Sequence, residues 1–430
     1  MTKKETRIAA IVLAMVVASF ALLLHGMQLE NRADRLGAMR SVALPSGEHL
    51  AVFHANHLHL LDGQGRRVAH QPLKELLLTE EPNDMDWTVD GAGTAHAWFF
   101  EDTTPRLVRC TLAPGEPRLA GCAQVLSGPS LKVDSASRAV HFAVDGARQR
   151  VFIADAKGHK VRVLGLDGRV RADSASGLLF FPNRLRLAPG GGQLIVADND
   201  HRRLVWLDIG SDTPSLAQTR ILPLSPHPQA SGGRTRAADF AFLGGPGDVL
   251  STLWVLGVAQ GQKNGDVLLW GPGLAPLGRA DLGGWRDPLV IDTLGGAAVV
   301  ADFDGIVLYR LGRQGEFLGN FGQGPFAAEL EAARQGARAG ALWVKLGWAS
   351  FALTLVVGFL LAWRLRERPG AREVREAFAD IARERADIPQ RTVRLAPARW
   401  YAREAAWAAA AGGLVVLALL AVLWLLLPHE

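Results

Sequence analysis

Three aspartates in this sequence share one pattern and could supply carboxylates to a metal ion or to acid–base chemistry. Asp155, Asp198 and Asp302 each close an aliphatic run that ends in Ala-Asp, and a polar turn follows each run. Asp155 and Asp198 stand 43 residues apart. Residues at a repeated position are distributed over the repeating units and do not converge on one catalytic centre. A carboxylate before a tight turn accepts backbone N–H bonds, so we predict three structural turn residues.

A second candidate for chemistry is the histidine cluster in the segment FHANHLHLLD, which contains His54, His57 and His59. Alternation along a strand places His57 and His59 on one face and His54 on the other. This spacing can bind zinc, but polar alternation on an exposed outer strand explains it as well. Both interpretations stay open from the sequence.

The elements that carry these residues form a repeat. The segments around Asp155, Asp198 and Asp302 align, a weaker copy has Gly257 at the Asp position, and two degenerate copies lie upstream, which makes six units. Each unit contains short alternating apolar runs between Gly, Asp and Pro, which is typical of antiparallel strands. A period near 43 residues with four strands per unit is that of a β-propeller blade. The predicted fold class is all-β, a six-bladed propeller with transmembrane α-helices.

Three segments also resemble NHL repeats: VFIADAKGHKVRVLGLDG, LIVADNDHRRLVWLDIG and VVADFDGIVLYRLGRQGEFLGNFG. They share an aliphatic strand, Ala-Asp, a polar hairpin with a basic residue or His, a second strand, and Asp-Gly or Gly-x-Gly. The resemblance implies a six-bladed propeller, in agreement with the count of units, and does not extend to the apolar segments of the chain. Propellers similar to this one, such as lactonases, gluconolactonases and an NHL-type amidating lyase, use a metal in the central channel.

In a propeller, the beginnings of the innermost strands converge on the central channel. Counting back from the repeated position gives five channel-facing candidates: Asp86, His141, Asn183, Asp239 and Asp287. Acidic, Asn and His side chains around one axis could hold Ca²⁺ or another divalent metal, with Asp239, Asp287 and Asn183 as ligands in that alternative. The other interpretation is a wet channel lined by polar side chains. We expect no cofactor.

Three apolar runs of about 20 residues match a hydrocarbon core of about 30 Å. The first is read as an uncleaved anchor, because no small-x-small cleavage site follows it. The segment after the second run contains eleven Arg against six acidic residues, and the positive-inside rule places it in the cytoplasm. The predicted organisation is a cytoplasmic N-terminus (1–7), helix 1 (8–26), a periplasmic propeller (28–338), helix 2 (341–363), a cytoplasmic Arg-rich loop (364–403) and helix 3 (405–427), in the inner membrane.

Two smaller features complete the predicted organisation. Cys110 and Cys122 flank a Pro-Gly turn, and in an oxidising periplasm we expect a disulfide between them. Within the Arg-rich loop, Val374, Phe378 and Ile381 form an apolar stripe among charged residues. This stripe predicts a short amphipathic helix that lies on membrane lipid or docks a partner.

These observations favour a noncatalytic role. The basic surplus of the chain resides in the predicted cytoplasmic ends, so it gives no support for nucleic-acid binding. The sequence contains no nucleophile elbow, phosphate loop or HExxH motif. We expect a binding scaffold for other inner-membrane or periplasmic proteins or for an envelope ligand, as an accessory subunit of a membrane complex. A metal-dependent hydrolase or lyase and a transmembrane sensor are the alternatives.

Overall fold

The computed structural model describes residues 3–32, 34–44, 47–113, 116–131, 140–225, 227, 235–243, 252–258, 265–280 and 287–366. The chain divides into two compact units. One comprises Met1–Ala33 and Gln335–Glu430, and the other comprises Asp34–Arg334. The predicted third span, residues 405–427, and the predicted amphipathic helix of the Arg-rich loop lie outside the described residues.

The second unit is built from four-stranded antiparallel sheets, each formed by consecutive strands. Blade 1 contains β1 (Leu36–Leu44), β2 (Gly47–His54), β3 (His57–Asp62) and β4 (Arg67–Pro72). Blade 2 contains β5 (Asp84–Val89), β6 (Ala95–Glu101), β7 (Arg106–Leu112) and β8 (Leu119–Ser127). Blade 3 contains β9 (His141–Asp145), β10 (Arg150–Asp155), β11 (Lys160–Gly165) and β12 (Val170–Asp173).

Three further sheets follow along the chain. Blade 4 contains β13 (Pro182–Leu187), β14 (Gln193–Asp198), β15 (Arg203–Asp208) and β16 (Gln218–Pro223). Blade 5 contains β17 (Arg236–Leu243), β18 (Thr252–Val258), β19 (Asp266–Trp270) and β20 (Pro276–Ala280). Blade 6 contains β21 (Pro288–Leu294), β22 (Ala297–Asp302), β23 (Val307–Leu311) and β24 (Phe317–Phe321).

The six sheets close into a ring. The first strand of each blade contacts the first strands of both neighbouring blades, and β1 contacts β21, so the last blade meets the first. The backbone N–H of Gln323, just after β24, donates to the carbonyl of Gly65 in blade 1 at 2.8 Å. The predicted six-bladed β-propeller is therefore confirmed, and each blade is made of one continuous stretch of chain.

Apolar side chains between neighbouring blades form the core of the ring. Phe99 on β6 packs edge-to-face on Phe53 of blade 1, with ring centroids 5.5 Å apart. The next residue, Phe100, faces Phe142 of blade 3 at 6.1 Å. Because successive side chains of a strand point to opposite faces, a strand covered by a blade on each side is apolar at nearly every position. This accounts for the uninterrupted aliphatic runs before the repeated aspartates.

A disulfide joins the two outer strands of blade 2. Cys110 on β7 and Cys122 on β8 are bonded and stand 12 positions apart in sequence. Cys110 is fully buried against the core shared by blades 1 and 2. The predicted disulfide is confirmed.

Two helices lie outside the sheets: α1 (Lys3–Arg32) and α2 (Gly324–Arg366). α2 begins well before the predicted second span, and its first turns belong to the propeller unit. Among the described residues, both helices are long and apolar enough to cross a membrane, over Ala10–Asn31 and Gly324–Leu361.

Within their own unit, α1 and α2 run antiparallel and pack closely. A Cβ atom on Gly26 would lie 2.6 Å from the backbone nitrogen of Val344. One on Gly347 would lie 2.7 Å from Cγ of Leu23. Small residues at both positions therefore let the helix backbones approach. The hydroxyls of Ser19 and Ser350 are hydrogen-bonded across the contact at 2.8 Å, and large apolar side chains such as Leu13 and Leu353 point outward.

Candidate functional site

The first strands of the six blades bring eight charged or titratable side chains to the centre of the ring, called here the central network. Three are arginines, four are aspartates and one is a histidine: Arg40 on β1, Asp84 and Asp86 on β5, His141 on β9, Arg184 and Arg186 on β13, Asp239 on β17 and Asp292 on β21. Every blade therefore contributes to it. Most of these side chains are buried.

Two of the arginines bind the paired aspartates of blade 2. Nη2 of Arg40 lies 3.2 Å from Oδ1 of Asp86. The guanidinium of Arg184 donates to Oδ1 of Asp84, while Nδ1 of His141 lies 3.2 Å from the other oxygen of that carboxylate. Asp84 thus has a partner on blade 3 and another on blade 4.

Arg186 makes the corresponding contacts with blades 5 and 6. Its Nη2 lies 3.3 Å from Oδ1 of Asp239, and its Nη1 lies 3.2 Å from Oδ1 of Asp292. Nη2 also donates to the backbone carbonyl of Ile291 at 2.6 Å. One guanidinium therefore binds two carboxylates and a carbonyl from two other blades.

The carboxylates also accept backbone N–H bonds from the first strand of the following blade. The N–H of Val144 donates to Asp86 at 2.8 Å, and that of Ile291 donates to Asp239 at 3.0 Å. The N–H of Ser41 donates to Asp292 at 3.0 Å, which links blade 6 to blade 1. These bonds join the first strands of different blades, so the network stabilises the closed ring.

The arginines and burial set the protonation of the network. Burial alone would raise the pKa of Asp84, but Arg184 and His141 hold it well below its usual range. Arg186 and Arg40 likewise overcome burial and lower the pKa of Asp292. Burial raises the pKa of Asp86 despite Arg40, and burial, assisted by Arg184, lowers the pKa of His141. The histidine therefore favours its neutral form.

The arrangement does not fit a divalent metal ion. A metal would need carboxylate oxygens of Asp84, Asp239 or Asp292 that are already bound to guanidinium groups. Arginine stays protonated in proteins, so its positive charge lies where a cation would bind. Across the residues that the structure describes, no group of three or more His, Cys, Asp or Glu could hold a metal ion.

The structure places the five predicted channel residues in two groups. Asp86, His141 and Asp239 lie in the central network. Asn183 directly precedes Arg184, but the ion pairs that β13 makes in the central network are those of Arg184 and Arg186. Asp287 lies before β21, where its N–H donates to Asp302 at 3.1 Å.

Each of the three repeated aspartates accepts a backbone N–H bond, and for Asp155 and Asp302 the donor lies in the turn that follows. Oδ1 of Asp155 accepts from the N–H of Gly158 at 2.9 Å, and Oδ1 of Asp302 accepts from Gly305 at 2.8 Å. Asp198 accepts from the N–H of Phe180 at 2.7 Å. In this position the carboxylates are turn residues spread over blades 3, 4 and 6.

Sequence reasoning missed a fourth member of this set. Glu101 ends β6 at the equivalent place, is fully buried, and accepts the N–H of Thr79 at 2.5 Å and that of Glu80 at 3.0 Å. Arg106 donates to its second oxygen. The sequence does contain the pattern that would have revealed it: the apolar run AHAWFFE ends in an acidic residue, with Glu in place of Asp.

The histidine cluster packs beneath the first turns of α2. The ring of Phe326, which is fully buried, lies 4.9 Å from His59 and 6.3 Å from His54 between centroids. Nε2 of His59 is bonded to the carbonyl of His54 at 3.1 Å, and its Nδ1 lies 3.4 Å from Arg67. Burial lowers the pKa of His59 to about 4. Both ring nitrogens of His59 are therefore occupied.

The fold and the central network define a six-bladed β-propeller whose first strands are joined by ion pairs at the centre of the ring. No protein-family model matches the chain, and no curated protein matches it.

Several solved structures are similar. Virginiamycin B lyase from Staphylococcus aureus shares 14% identity at a TM-score of 0.41, covering 70% of this chain and 88% of that one. A chain of a nidogen/laminin complex shares 14% identity at a TM-score of 0.39, covering 67% and 94%. The Cps50 (Swd1) propeller of Myceliophteria thermophila shares 14% at 0.38, covering 64% and 80%. These similarities give no argument about function.

Proposed function

We propose that this protein is a membrane-anchored periplasmic β-propeller that acts as a noncatalytic binding scaffold, an accessory subunit of an inner-membrane complex. The observation that carries the proposal is the central network. Its arginines and aspartates bind one another and the backbone of neighbouring blades. The charged groups at the centre therefore stabilise the ring. A protein partner or envelope ligand would bind to the exposed loops around it.

The helix pair supports the anchoring part of the proposal. α1 and α2 pack through small residues and a partly buried serine–serine hydrogen bond, as membrane helices do. Outward-facing side chains such as Leu13 and Leu353 are more than half exposed, at 63% and 58%. Large apolar side chains in such a position are stable in lipid and unfavourable in water.

The test is purification of the full chain from its native membrane in a mild detergent. We expect a stoichiometric protein partner, a complex larger than the 46.2 kDa chain, and cross-links from the partner to exposed propeller loops. Arg184→Met should weaken the complex by loosening the ring, whereas Arg66→Met should leave it intact. Arg66 is a suitable control because its side chain is 68% exposed and pairs only locally, with Asp62.

Two outcomes would contradict the proposal. A chain that purifies only as a monomer, with no partner, would remove the accessory-subunit role. Stoichiometric bound metal that Asp239→Ala abolishes would favour the metal-dependent enzyme, in spite of the arginine partners of Asp239.

A further inference from the structure

The propeller has one face on which both of its connections to the apolar helices leave, called here the turn face. In each blade, the turn between the second and third strands lies on this face, as does the connection to the next blade. Arg35, just before β1, binds Asp304 in the turn of blade 6 at 2.8 Å. Phe326, near the start of α2, packs on His54 at the end of β2. Both segments that connect the propeller to the candidate spans therefore leave from this face.

The turn face carries exposed large apolar side chains. Among its described residues these are Leu77, Phe180 and Phe181, with exposures of 48%, 45% and 38%. All three lie in connections between successive blades. Leu77 and Phe181 have left-handed backbones, with φ of 57° and 59°, a conformation that is unfavourable for such residues.

The two phenylalanines are held in place by specific contacts. The ring of Phe180 stacks on His159, with centroids 4.4 Å apart and planes 7° from parallel. The N–H of Phe180 donates to the buried Asp198 at 2.7 Å. The N–H of Phe181 donates to Nδ1 of His159 at 3.1 Å. The loop therefore exposes two aromatic side chains on a strained backbone.

Basic residues stand in the two turns next to this loop. Lys157 and His201 are exposed, and Arg202 is half-buried. The acidic residues nearby are ion-paired: Asp198 pairs with Arg203 at 2.7 Å and with His201 at 2.8 Å, and Asp200 pairs with Arg236 at 3.1 Å. Aromatic rings fringed by basic groups are the combination that binds the interface of an anionic bilayer.

We propose that the loop of Phe180 and Phe181 inserts into the surface of the membrane that the apolar helices cross. The partner is the lipid surface: the rings enter the headgroup region, next to the basic residues of the two adjoining turns. This inference rests on the proposed membrane anchoring. It adds a second contact with the bilayer, which would fix the tilt of the propeller and leave the opposite face for a protein partner.

The experiment uses single-cysteine reporters in the full chain, because both native cysteines are consumed in the disulfide. Ser176→Cys lies in the same loop, is exposed, and keeps both phenylalanines. Val89→Cys, which is 58% exposed on the opposite face, is the matched control. Leu353→Cys on α2 reports on anchoring itself. Each variant carries an environment-sensitive fluorophore and is reconstituted in about 7:3 phosphatidylcholine and phosphatidylglycerol with doxyl-labelled quencher lipid.

We expect quenching at position 176 to exceed that at position 89 by at least about threefold. Adding Phe180→Ala and Phe181→Ala to Ser176→Cys should reduce quenching to the level of the control. Strong quenching at position 353 with equal, weak quenching at positions 176 and 89 would overturn the lipid contact and leave the anchoring proposal standing. Absence of quenching at position 353 would overturn the anchoring, and the lipid contact with it.

Discussion

Arg186 and Asp292 connect two blades that are not neighbours in the ring. Arg186 lies on β13 of blade 4 and Asp292 on β21 of blade 6, and Nη1 lies 3.2 Å from Oδ1. The same guanidinium reaches Asp239 of the intervening blade at 3.3 Å. One arginine thus links three consecutive blades at the axis.

Replacing Arg186 should destabilise the propeller strongly. Arg186→Met leaves Asp239 and Asp292 buried without this positive partner, and removal of one member of a buried ion pair costs about 3–5 kcal/mol. Arg66→Met, at a largely exposed pair, should change the free energy of unfolding by less than about 1 kcal/mol. Urea titration of both variants checks the contrast.

A second substitution separates charge from packing at this site. Adding Asp292→Asn to Arg186→Met removes one of the uncompensated charges, so it should restore part of the lost stability. If the double variant is as unstable as the sum of the two single variants, the ion pair between them contributes nothing.

The fold was predictable because its pattern is local. The aliphatic runs that end at Asp155, Asp198 and Asp302 became the second strands of their blades, and the repeat period gave the blade count. A strand buried on both faces and a carboxylate before a turn leave the same trace in blades 2, 3, 4 and 6. The disulfide was equally readable, since a hairpin joins Cys110 and Cys122.

The channel was only partly predictable because the spacing between the axial residue and the end of the second strand differs from blade to blade: it is 14 positions for His141 and Asp155 but 10 for Asp292 and Asp302. β9 pairs regularly with β10, and there the count gave His141. In blade 6 the register shifts between Pro288 and Val290, and the strand delivers Asp292 to the axis. In blade 4 a shift between Pro182 and Leu185 accompanies the presence of Arg184 and Arg186 in the centre. The Arg-x-Arg alternation in NRLRL was a usable signal, since both arginines share one face.

The disulfide should contribute measurably to the stability of blade 2. Cys110→Ala with Cys122→Ala removes a cross-link that closes a loop 12 positions long, worth about 3 kcal/mol in the chain-entropy account. Reductant should lower the unfolding free energy of the unmodified chain by a similar amount and leave the double variant unchanged. A double variant that still responds to reductant would contradict this explanation.

The propeller should lose stability as the pH falls from 7 to 5. Burial lowers the pKa of His54, His59 and His141, whereas an unfolded histidine titrates near about 6.5. The unfolded chain therefore binds protons first, so stability is complete above that pH and declines below it until the folded pKa is reached. Asp84 and Asp292, whose pKa is lowered, add to the loss only at more acidic pH.

His59 allows this pH dependence to be tested at one site. Its pKa of about 4 in the folded chain predicts that His59→Gln reduces the stability lost between pH 7 and pH 5 by up to about 2 kcal/mol. Identical pH profiles for His59→Gln and the unmodified chain would contradict the assignment.

The packing of α1 against α2 predicts a specific cross-link. The hydroxyls of Ser19 and Ser350 lie 2.8 Å apart, so Ser19→Cys with Ser350→Cys should form a disulfide on mild oxidation of native membranes. Leu13→Cys with Leu353→Cys, at two outward-facing positions, should not, and peptide mass spectrometry distinguishes the two. Gly347→Leu should abolish the first cross-link, because even a Cβ there would lie 2.7 Å from Leu23. Efficient cross-linking of the outward pair would show that the two helices meet through other faces.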